Sequence, residues 1–297
     1  MTKKDKVHKD PTTIGEYLKL NKYVAYFCVV YELMLLPEIS NILFMVYGGA
    51  RPDIVACGNI SLTHLSSQTE KCDAMAQIQM DTECEPVLKP QFESVNYEFN
   101  YLCVNNSIIK DSISFQMIGL MAGNMLFGQL SDMYGRKKML QVCTASMIIL
   151  GFISSFANNL VTFSFARLFV MFFVGGHHSV NYVYMLENLP IRHRMWIMTV
   201  ITFSPNYIIL AIIAYYSHDW RTLSRILSAV AILPLIMSRY LHESPRWLLQ
   251  RDKINRARHV FHDIETWSTH KAEKLTRREG QLEAVLDNTV KVQSVTY

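Results

Sequence analysis

Charged residues are scarce in this sequence. Asp, Glu, Lys and Arg make up 18% of the 297 residues, whereas 50% of the chain is apolar. Soluble domains carry about 25% charged residues, so a water-soluble globular protein is not the expected class. We therefore expect an integral membrane protein.

The sequence also lacks the common signatures of enzyme and metal sites. It contains no phosphate-binding glycine loop, no zinc-ligand spacing and no nucleophile elbow. The pair His177 and His178 comes nearest to a metal site, but adjacent helical residues point about 100° apart and no third ligand is evident. We expect no enzymatic activity, no metal or other cofactor, and no nucleic-acid partner.

Long apolar runs recur along the chain and predict membrane-spanning helices. Each is long enough to cross a hydrocarbon core about 30 Å thick as a helix that rises about 1.5 Å per residue. The strands of a membrane barrel would instead alternate apolar and polar residues. The predicted fold class is all-α, with six transmembrane helices at 23–50, 112–131, 139–157, 162–187, 196–216 and 220–242.

The positions of the cations predict the orientation of these spans. Lys and Arg cluster before the first span, between the second and third, between the fourth and fifth, and after the sixth. The positive-inside rule then places residues 1–22 and 243–297 in the cytoplasm and the long loop 51–111 outside. A cleaved signal peptide is the alternative for the first span, but the apolar run is too long and no small-residue cleavage site follows it.

The long loop 51–111 has the features of an extracellular segment. Cysteines in an oxidising compartment form disulfides, and four in one loop predict two bridges with three pairings open. Sequons at Asn59 and Asn105 predict a glycoprotein, and the plasma membrane is the expected location. The four loop cysteines are Cys57, Cys72, Cys84 and Cys103.

The segment after the sixth span predicts a cytoplasmic amphipathic helix. In "RDKINRARHVFHDIETW" the apolar residues recur at helical spacing with cations between them. Such a helix is expected to lie on the cytoplasmic face of the membrane. The apolar positions are Ile254, Ala257, Phe261, Ile264 and Trp267.

A charge cluster follows the second span in "GQLSDMYGRKKML". Gly128 lacks a side chain and would let another helix approach closely. The carboxylate of Asp132 is disfavoured at a helix C-terminus, so it calls for a partner, and Arg136 at i+4 is the nearest candidate. Gly135 suits the left-handed turn that ends a helix. The cluster is either a latch between moving parts or a simple positive-inside turn.

Two motifs give the sequence a specific resemblance. "GQLSDMYGRKK" resembles the signature loop between the second and third helices of major facilitator superfamily transporters. "HESPRWLL" resembles the "PESPRWLL" of sugar porters and organic-ion transporters, with His242 in place of the proline. The long cysteine-bearing loop favours the organic cation/anion transporter family within that superfamily.

Further stretches extend the resemblance over most of the chain. "ARLFVMFFVGG" resembles the fourth-helix pattern, with Met171 and Phe173 where glycines are usual, and "ENLPIRHR" resembles a second charged cytoplasmic motif. The resemblance implies a conformational or gating role for ten residues. These are Gly128, Asp132, Gly135, Arg136, Lys137, Arg167, Glu187, Arg194, Glu243 and Arg246.

The family's architecture is larger than this sequence. Members have twelve helices in two bundles related by an axis along the membrane normal, with substrate held between the bundles. The chain resembles only the N-terminal six-helix half, and it stops in the region of the central cytoplasmic loop. Either a homodimer or a missing C-terminal bundle would complete the architecture.

Polar residues inside the spans are the candidate substrate-binding residues. A carboxylate at the membrane centre costs roughly 2.5 to 3.5 kcal/mol, which makes Glu32 and Glu38 candidates for attracting an organic cation or carrying a proton. Tyr182 matches a cavity tyrosine of the organic-cation relatives, and His178 shares its helix face. Gln116 could line the same path. Satisfying a local backbone break or ordinary packing are the alternatives for these positions.

Three functions remain open from the sequence. The first is transmembrane transport of a small organic ion by a half or truncated transporter in a lipid membrane. The second is a non-transporting truncated member that binds or regulates full-length partners. The third is a surface receptor or adhesion module that uses the disulfide loop.

Overall fold

The computed structural model describes residues 20–65, 67–81, 84–99, 103, 107–201, 204–267 and 280 of the chain, and this part is mostly helical. A 3-10 turn spans Ser238–Tyr240. The helices are α1 Lys22–Ile42, α2 Phe44–Gly48, α3 Gln68–Asp81, α4 Val95–Glu98, α5 Ser107–Tyr134, α6 Arg136–Ser154, α7 Leu160–Asn188, α8 Ile191–Val200, α9 Ser204–Ser217, α10 Trp220–Val230, α11 Ile232–Met237, α12 Pro245–Gln250 and α13 Ile254–Thr266.

Five helical stretches of the described residues are long and apolar enough to cross a membrane. Many of their large apolar side chains point outward, as Val161 and Ile208 do. The remaining predicted span, 112–131, lies in α5, which is 28 residues long but carries polar residues such as Gln116 and Asn124. A count of six crossings therefore stays a prediction. The five stretches are Lys22–Gly48, Arg136–Ser154, Leu160–Asn188, Ile191–Ser217 and Trp220–Tyr240.

Polar side chains fix where several helices begin. The first turn of a helix has N–H groups without an intrahelical acceptor, and a side-chain oxygen at the preceding residue can bind one of them. Asn21 accepts from the Val24 N–H at 2.9 Å, and Asn159 accepts from the Thr162 N–H at 2.7 Å. Asp219 caps α10 in the same way. These caps set the first residue of α1, α7 and α10.

Helices α5 and α7 pack backbone against backbone. A methyl group added to Gly123 would collide with the carbonyl oxygen of Phe172, and one added to Gly175 would collide with that of Leu120. Small residues allow this approach between membrane helices. Within the described residues no atom lies within 4 Å of a methyl group placed on Gly128, so the expectation that Gly128 admits a neighbouring helix stays a prediction.

The long loop after α2 contains a small antiparallel sheet, which corrects the all-α expectation. Strand β1, Asp53–Cys57, lies between β2, Ile60–Ser61, and β3, Pro86–Lys89. Residue Cys57 is paired with Ile60 on one side and with Pro86 on the other. The strands have two to five residues, too few for an alternating pattern to be recognised in the sequence.

Two disulfides hold this loop together, as the sequence predicts, and the structure resolves their pairing. Cys57 is bonded to Cys84, and Cys72 is bonded to Cys103, with Cα–Cα distances of 5.5 and 5.4 Å. The first bridge ties β1 to the segment before β3, and the second ties α3 to the segment before α5. The sequon residue Asn59 is exposed at the turn after β1, whereas Asn105 lies outside the described residues.

The loop is anchored on the ends of helices α6 and α10 by Arg221. Its guanidinium binds the Glu98 carboxylate at 2.5 Å and donates to the carbonyl oxygens of Ser155 and Ala157 at 2.6 and 2.7 Å. The Trp220 indole N–H donates to the same carboxylate at 2.6 Å. The loop, the end of α6 and the start of α10 therefore meet at one ionic contact.

The amphipathic helix α13 packs against the opposite end of the bundle. Ala257 and Phe261 are buried in a cluster with Trp247 and Leu248 of α12. Trp267, just after α13, lies edge-on to Tyr23 at a ring-centroid distance of 6.1 Å. The apolar face of α13 therefore contacts protein in this structure.

Candidate functional site

The carboxylate of Glu38 is the central feature of the helix bundle. It lies on α1 directly after Pro37, and only 1% of the residue is exposed. Its Oε2 lies 2.8 Å from His177 Nδ1, and its Oε1 lies 2.6 Å from His178 Nδ1. Each imidazole therefore takes one oxygen, and a single carboxylate joins α1 to α7.

The two histidines differ in their access to the surroundings. The His177 side chain is fully buried, whereas 45% of the His178 side chain is exposed. His178 can therefore move away from Glu38 more easily than His177 can. Within the described residues no group of three His, Cys, Asp or Glu side chains has the geometry to hold a metal ion.

Two tyrosines lie on the helices that carry Glu38 and His178. Tyr182 follows His178 by one helical turn on α7 and is 48% exposed. Tyr31 lies on α1 two turns before Glu38 and is buried. Of the five predicted substrate-binding residues, the structure brings Glu38 and His178 into direct contact. Aromatic faces beside a carboxylate are the usual chemistry for binding an organic cation.

The second carboxylate, Glu32, lies two turns before Glu38 on α1. Its Oε1 accepts a hydrogen bond from the Asn206 side chain at 3.0 Å, which links α1 to α9. Its Oε2 is buried and has no hydrogen-bond partner among the described residues. Glu32 therefore has one oxygen without a hydrogen-bond partner in this conformation.

Gln116 is placed apart from this group. It is 2% exposed on α5 and donates to Ser112 Oγ at 3.5 Å on the same helix. Ser112 in turn lies 2.6 Å from Ser164 Oγ of α7. Gln116 thus belongs to a polar contact between α5 and α7 and has no described hydrogen bond to Glu38.

Arg167 locks α1 and α7 together. It is fully buried and donates to Asn41 twice, at 2.8 Å to the side-chain oxygen and at 2.7 Å to the backbone carbonyl. Its guanidinium also lies 4.3 Å from the centroid of the Phe44 ring. The carbonyl is accessible because α1 is interrupted after Ile42, so Arg167 satisfies the broken helix end.

Arg136 is the centre of a second charged group, at the end of the bundle where α13 packs. It binds the Asp132 carboxylate at 2.5 Å, the Glu187 carboxylate at 3.3 Å and Ser131 Oγ at 2.6 Å. Gly135 precedes it with φ +111°, a left-handed value that favours glycine. The two ion pairs join α5, α6 and α7 at one point.

Glu243 links the second motif to the first. Its Oε1 accepts from the backbone N–H of Lys137 at 2.9 Å. Burial raises the pKa of Glu243, and the N–H groups of Lys137 and Ser244 oppose that rise. The Lys137 ammonium binds the Arg239 carbonyl at 3.0 Å. The carboxylate of Glu243 therefore caps the start of α6.

Arg194 and Arg246 lie near Glu187 at the same end. Burial lowers the pKa of Arg246, the neighbouring Arg194 acts in the same direction, and Glu187 opposes both. Glu187 therefore interacts with two cations, Arg246 at longer range and Arg136, which binds it directly. All ten predicted gating residues except Gly128 and Arg167 fall within this network.

Several residues of both sites escape prediction from the sequence. His177 and His178 are not expected to share a partner because adjacent helical side chains diverge, but the two oxygens of one carboxylate span that divergence. Asn41, Asn206 and Trp247 complete the hydrogen bonds of Arg167, Glu32 and Asp132. A polar residue inside an apolar span is the available signal for Asn41 and Asn206.

Sequence comparison assigns the chain to a protein family. A family profile described as "Sugar (and other) transporter" matches residues 62–294. The "Organic cation transporter-like protein" of Drosophila melanogaster is 32% identical over 158 residues, which are 52% of this chain and 28% of that protein. "Solute carrier family 22 member 16" of Homo sapiens is 28% identical over 162 residues, 54% of this chain and 28% of that protein. The matches thus cover less than a third of these relatives.

Solved structures show the same fold. The proton:xylose symporter XylE, bound to 6-bromo-6-deoxy-D-glucose, superposes with a TM-score of 0.57 at 16% identity, covering 91% of this chain and 54% of that one. A partially occluded inward-open form of XylE from E. coli gives a TM-score of 0.55, also at 16% identity, covering 92% and 62%. At this identity the likeness concerns the fold alone. The chain is a member of the sugar (and other) transporter family, with the major facilitator superfamily fold and relatives that are transporters rather than enzymes.

Proposed function

We propose that the chain forms the N-terminal six-helix bundle of a transporter for small organic ions, and that the ion it prefers is a cation. The observation that carries this proposal is the buried Glu38 carboxylate held between His177 and His178. An ionisable group at this depth is expensive in a membrane protein and is usually functional. Similarity to organic cation transporter proteins supports the same substrate class.

The geometry supports a binding step in which the cation replaces His178 beside Glu38. His178 is the more exposed of the two partners, so it can swing away while His177 keeps the carboxylate in place. Tyr31 and Tyr182 then offer aromatic faces to the bound cation. The carboxylate supplies the charge, and the aromatic rings replace part of the water shell.

The charged group around Arg136 would then act as the latch for alternating access. Its ion pairs join the ends of three helices, and such pairs can form in one conformation and separate in another. In this proposal the latch and both termini are cytoplasmic, and the disulfide loop faces outward from the plasma membrane. The four cation-rich connections support this orientation through the positive-inside rule.

The transport path requires a second bundle. The chain spans 54% of the XylE structure that it matches, so one bundle would supply half of the cavity. In transporters of this architecture the substrate lies between two bundles. A second copy of the chain or a separate C-terminal bundle would close the path on the side of Tyr182.

Uptake by the purified chain in liposomes tests the proposal. We expect accumulation of labelled tetraethylammonium, and at least about tenfold less with Glu38→Gln, because a charge-assisted bond to the cation is lost. Glu70→Gln, which changes an exposed acid of α3, is the matched control and should transport normally. The side-chain amide of the Glu38→Gln variant can still bond to both imidazoles, so the variant should fold.

The result also separates the other functions. A folded chain that moves neither cations nor anions would contradict the transport proposal for the chain on its own. Co-purification with a full-length relative would then favour the regulatory function. Retention of that co-purification after deletion of 58–100 would argue against a receptor or adhesion role for the loop.

A further inference from the structure

A cavity at the end of the bundle lies outside both sites described above. It has a volume of about 430 Å³ and opens between the α5–α6 turn and α13. Its floor is formed by Trp247 and Leu248, which are buried, and Tyr134 forms part of its wall. Three cations line it, Lys138 from α6 and Lys253 and Arg256 from the start of α13.

These cations have no acidic partner among the residues that the structure describes. Within the part of the chain that the structure describes, none of Lys138, Lys253 and Arg256 forms a salt bridge, and Lys253 lies 4.8 Å from the centroid of the Trp247 ring. The two carboxylates of the cavity are already engaged. Asp263 lies 2.9 Å from His259 and 3.4 Å from His242, and Glu243 caps α6. The cavity lining therefore has three cations against two carboxylates that already have other partners.

We propose that this cavity binds the headgroup of an anionic phospholipid of the cytoplasmic leaflet. An apolar floor with a cationic rim suits an amphiphile whose phosphates meet the rim. The cavity also lies where helices α5 and α6 leave the predicted membrane span, at the level of lipid headgroups. Clusters of Lys and Arg directly after a transmembrane helix attract phosphatidylserine and phosphoinositides. Five such residues follow the sixth span: Arg246, Arg251, Lys253, Arg256 and Arg258.

The lipid is favoured over a soluble anion because the cavity adjoins the membrane boundary. A soluble phosphate would meet only the exposed rim, where water screens each cation. A lipid would in addition place its glycerol region against Tyr134 and Trp247. The leaflet assignment rests on the proposed orientation of the chain, whereas the site itself does not.

Binding to the detergent-purified 297-residue chain tests the site without requiring transport or orientation. The probes are dioctanoyl phosphatidylinositol 4,5-bisphosphate, dioctanoyl phosphatidylserine, dioctanoyl phosphatidylcholine and inositol 1,4,5-trisphosphate. The variant is Lys253→Gln/Arg256→Gln. The control is Lys22→Gln/Arg192→Gln, which removes the same charge from exposed positions at the same end but outside the cavity.

We expect the bisphosphate lipid to bind most tightly and phosphatidylcholine not to bind. The double variant should bind the bisphosphate lipid about thirtyfold more weakly, because the loss of each cation should lower the affinity by somewhat less than tenfold. The control should change affinity less than about threefold. Equal weakening in variant and control would show a diffuse surface charge effect and overturn the proposal.

Two further outcomes would also contradict the proposal. Inositol trisphosphate binding as tightly as the lipid would make the cavity a soluble inositol phosphate site. Equal affinity for phosphatidylcholine would show that the cations do not select the ligand. The thermal melting temperature of each variant establishes that it is folded, and loss of uptake with intact lipid binding would affect only the transport proposal.

Discussion

The backbone carbonyl of Asp132 accepts a hydrogen bond from the indole N–H of Trp247 at 2.7 Å. The two residues belong to the two motifs that carry the family resemblance, and they are 115 positions apart in the sequence. The end of α5 and the start of α12 are therefore joined by a bond that needs the tryptophan side chain but only the backbone of Asp132.

Replacing Trp247 with Phe tests this contact. The indole donor is lost while the Asp132 carbonyl still accepts from Arg251, so we expect the free energy of unfolding to fall by about 0.5 to 1.5 kcal/mol. Thermal unfolding in detergent measures the change. Trp196→Phe is the control, because its indole N–H bonds to His193 in an exposed position. An equal loss in both variants would show that the Asp132 contact contributes nothing.

The α5–α7 contact predicts opposite outcomes for two glycines on one helix. Gly123→Ala should destabilise the protein by about 1 to 3 kcal/mol or more, because its methyl group meets the Phe172 backbone. Gly128→Ala should be neutral or stabilising by up to about 1 kcal/mol, because the position is open and Ala favours a helix. Melting temperatures of the two variants compare them directly. A stable Gly123→Ala would contradict the packing described here.

The latch proposal predicts a kinetic effect for Asp132→Asn. The substitution removes the charge that Arg136 binds at 2.5 Å but keeps the backbone carbonyl that Trp247 binds. We expect transport by the assembled protein to slow about tenfold, with surface delivery largely unchanged, as for loss of a partly buried charge pair. Surface biotinylation and initial uptake rates measure the two quantities. Collapse of delivery would show that the group holds the fold instead.

Glu243 gives a prediction for the dependence of stability on pH. Burial raises its pKa above the ordinary 4.5, so the folded protein keeps this proton to a higher pH than the unfolded chain does. The folded state then loses stability as pH rises from 4.5 through the raised pKa. Relative to wild type, Glu243→Gln should therefore become more stable over that window and stay constant above it. Melting temperatures from about pH 4 to 8 measure the difference.

Glu70→Gln is the control for this pH series. Glu70 is exposed on α3 in the disulfide loop, so Glu70→Gln measures the effect of removing a carboxylate away from the Glu243 contacts. A difference between Glu243→Gln and wild type that does not vary with pH would contradict the assigned cause.

The loop anchor predicts a local effect for Arg221→Lys. Lysine keeps the charge but has a single ammonium group. It cannot bind Glu98 and the carbonyls of Ser155 and Ala157 together, as the forked guanidinium of Arg221 does. We expect faster hydrogen exchange in residues 86–99, with little change in α7. Arg225→Lys is the control, because Arg225 bonds only to Ser155 Oγ among these groups. Unchanged exchange in 86–99 would show that other contacts hold the loop.

The sequence predicts the membrane helices well because their signal is local. Apolar runs, capping residues and cation placement each depend on neighbouring positions, so five spans are recovered by length and composition. The Asp132–Arg136 pair is also local, at i and i+4. The two disulfides follow from the cysteine count, although their pairing required the structure.

Contacts between distant segments cannot be predicted in this way. The position of Asn206 relative to Glu32 depends on how α9 lies against α1, and no local pattern encodes that. The outer sheet escapes prediction because its strands are held by a disulfide and by loop packing more than by their own alternation. The close contact at Gly123 also depends on a distant segment, since the backbone that it meets belongs to Phe172 of α7.

The glycine contacts between α5 and α7 also restrict how this protein can move. The two backbones are in close contact at Gly123 and Gly175, so a peptide group of each helix blocks the other from sliding along it. Helices α5 and α7 should consequently rotate as one rod during any change of shape. The distance between spectroscopic labels at the exposed positions Met121 and Phe169 should therefore be the same in every state. Distances between labels on α7 and α9 should change.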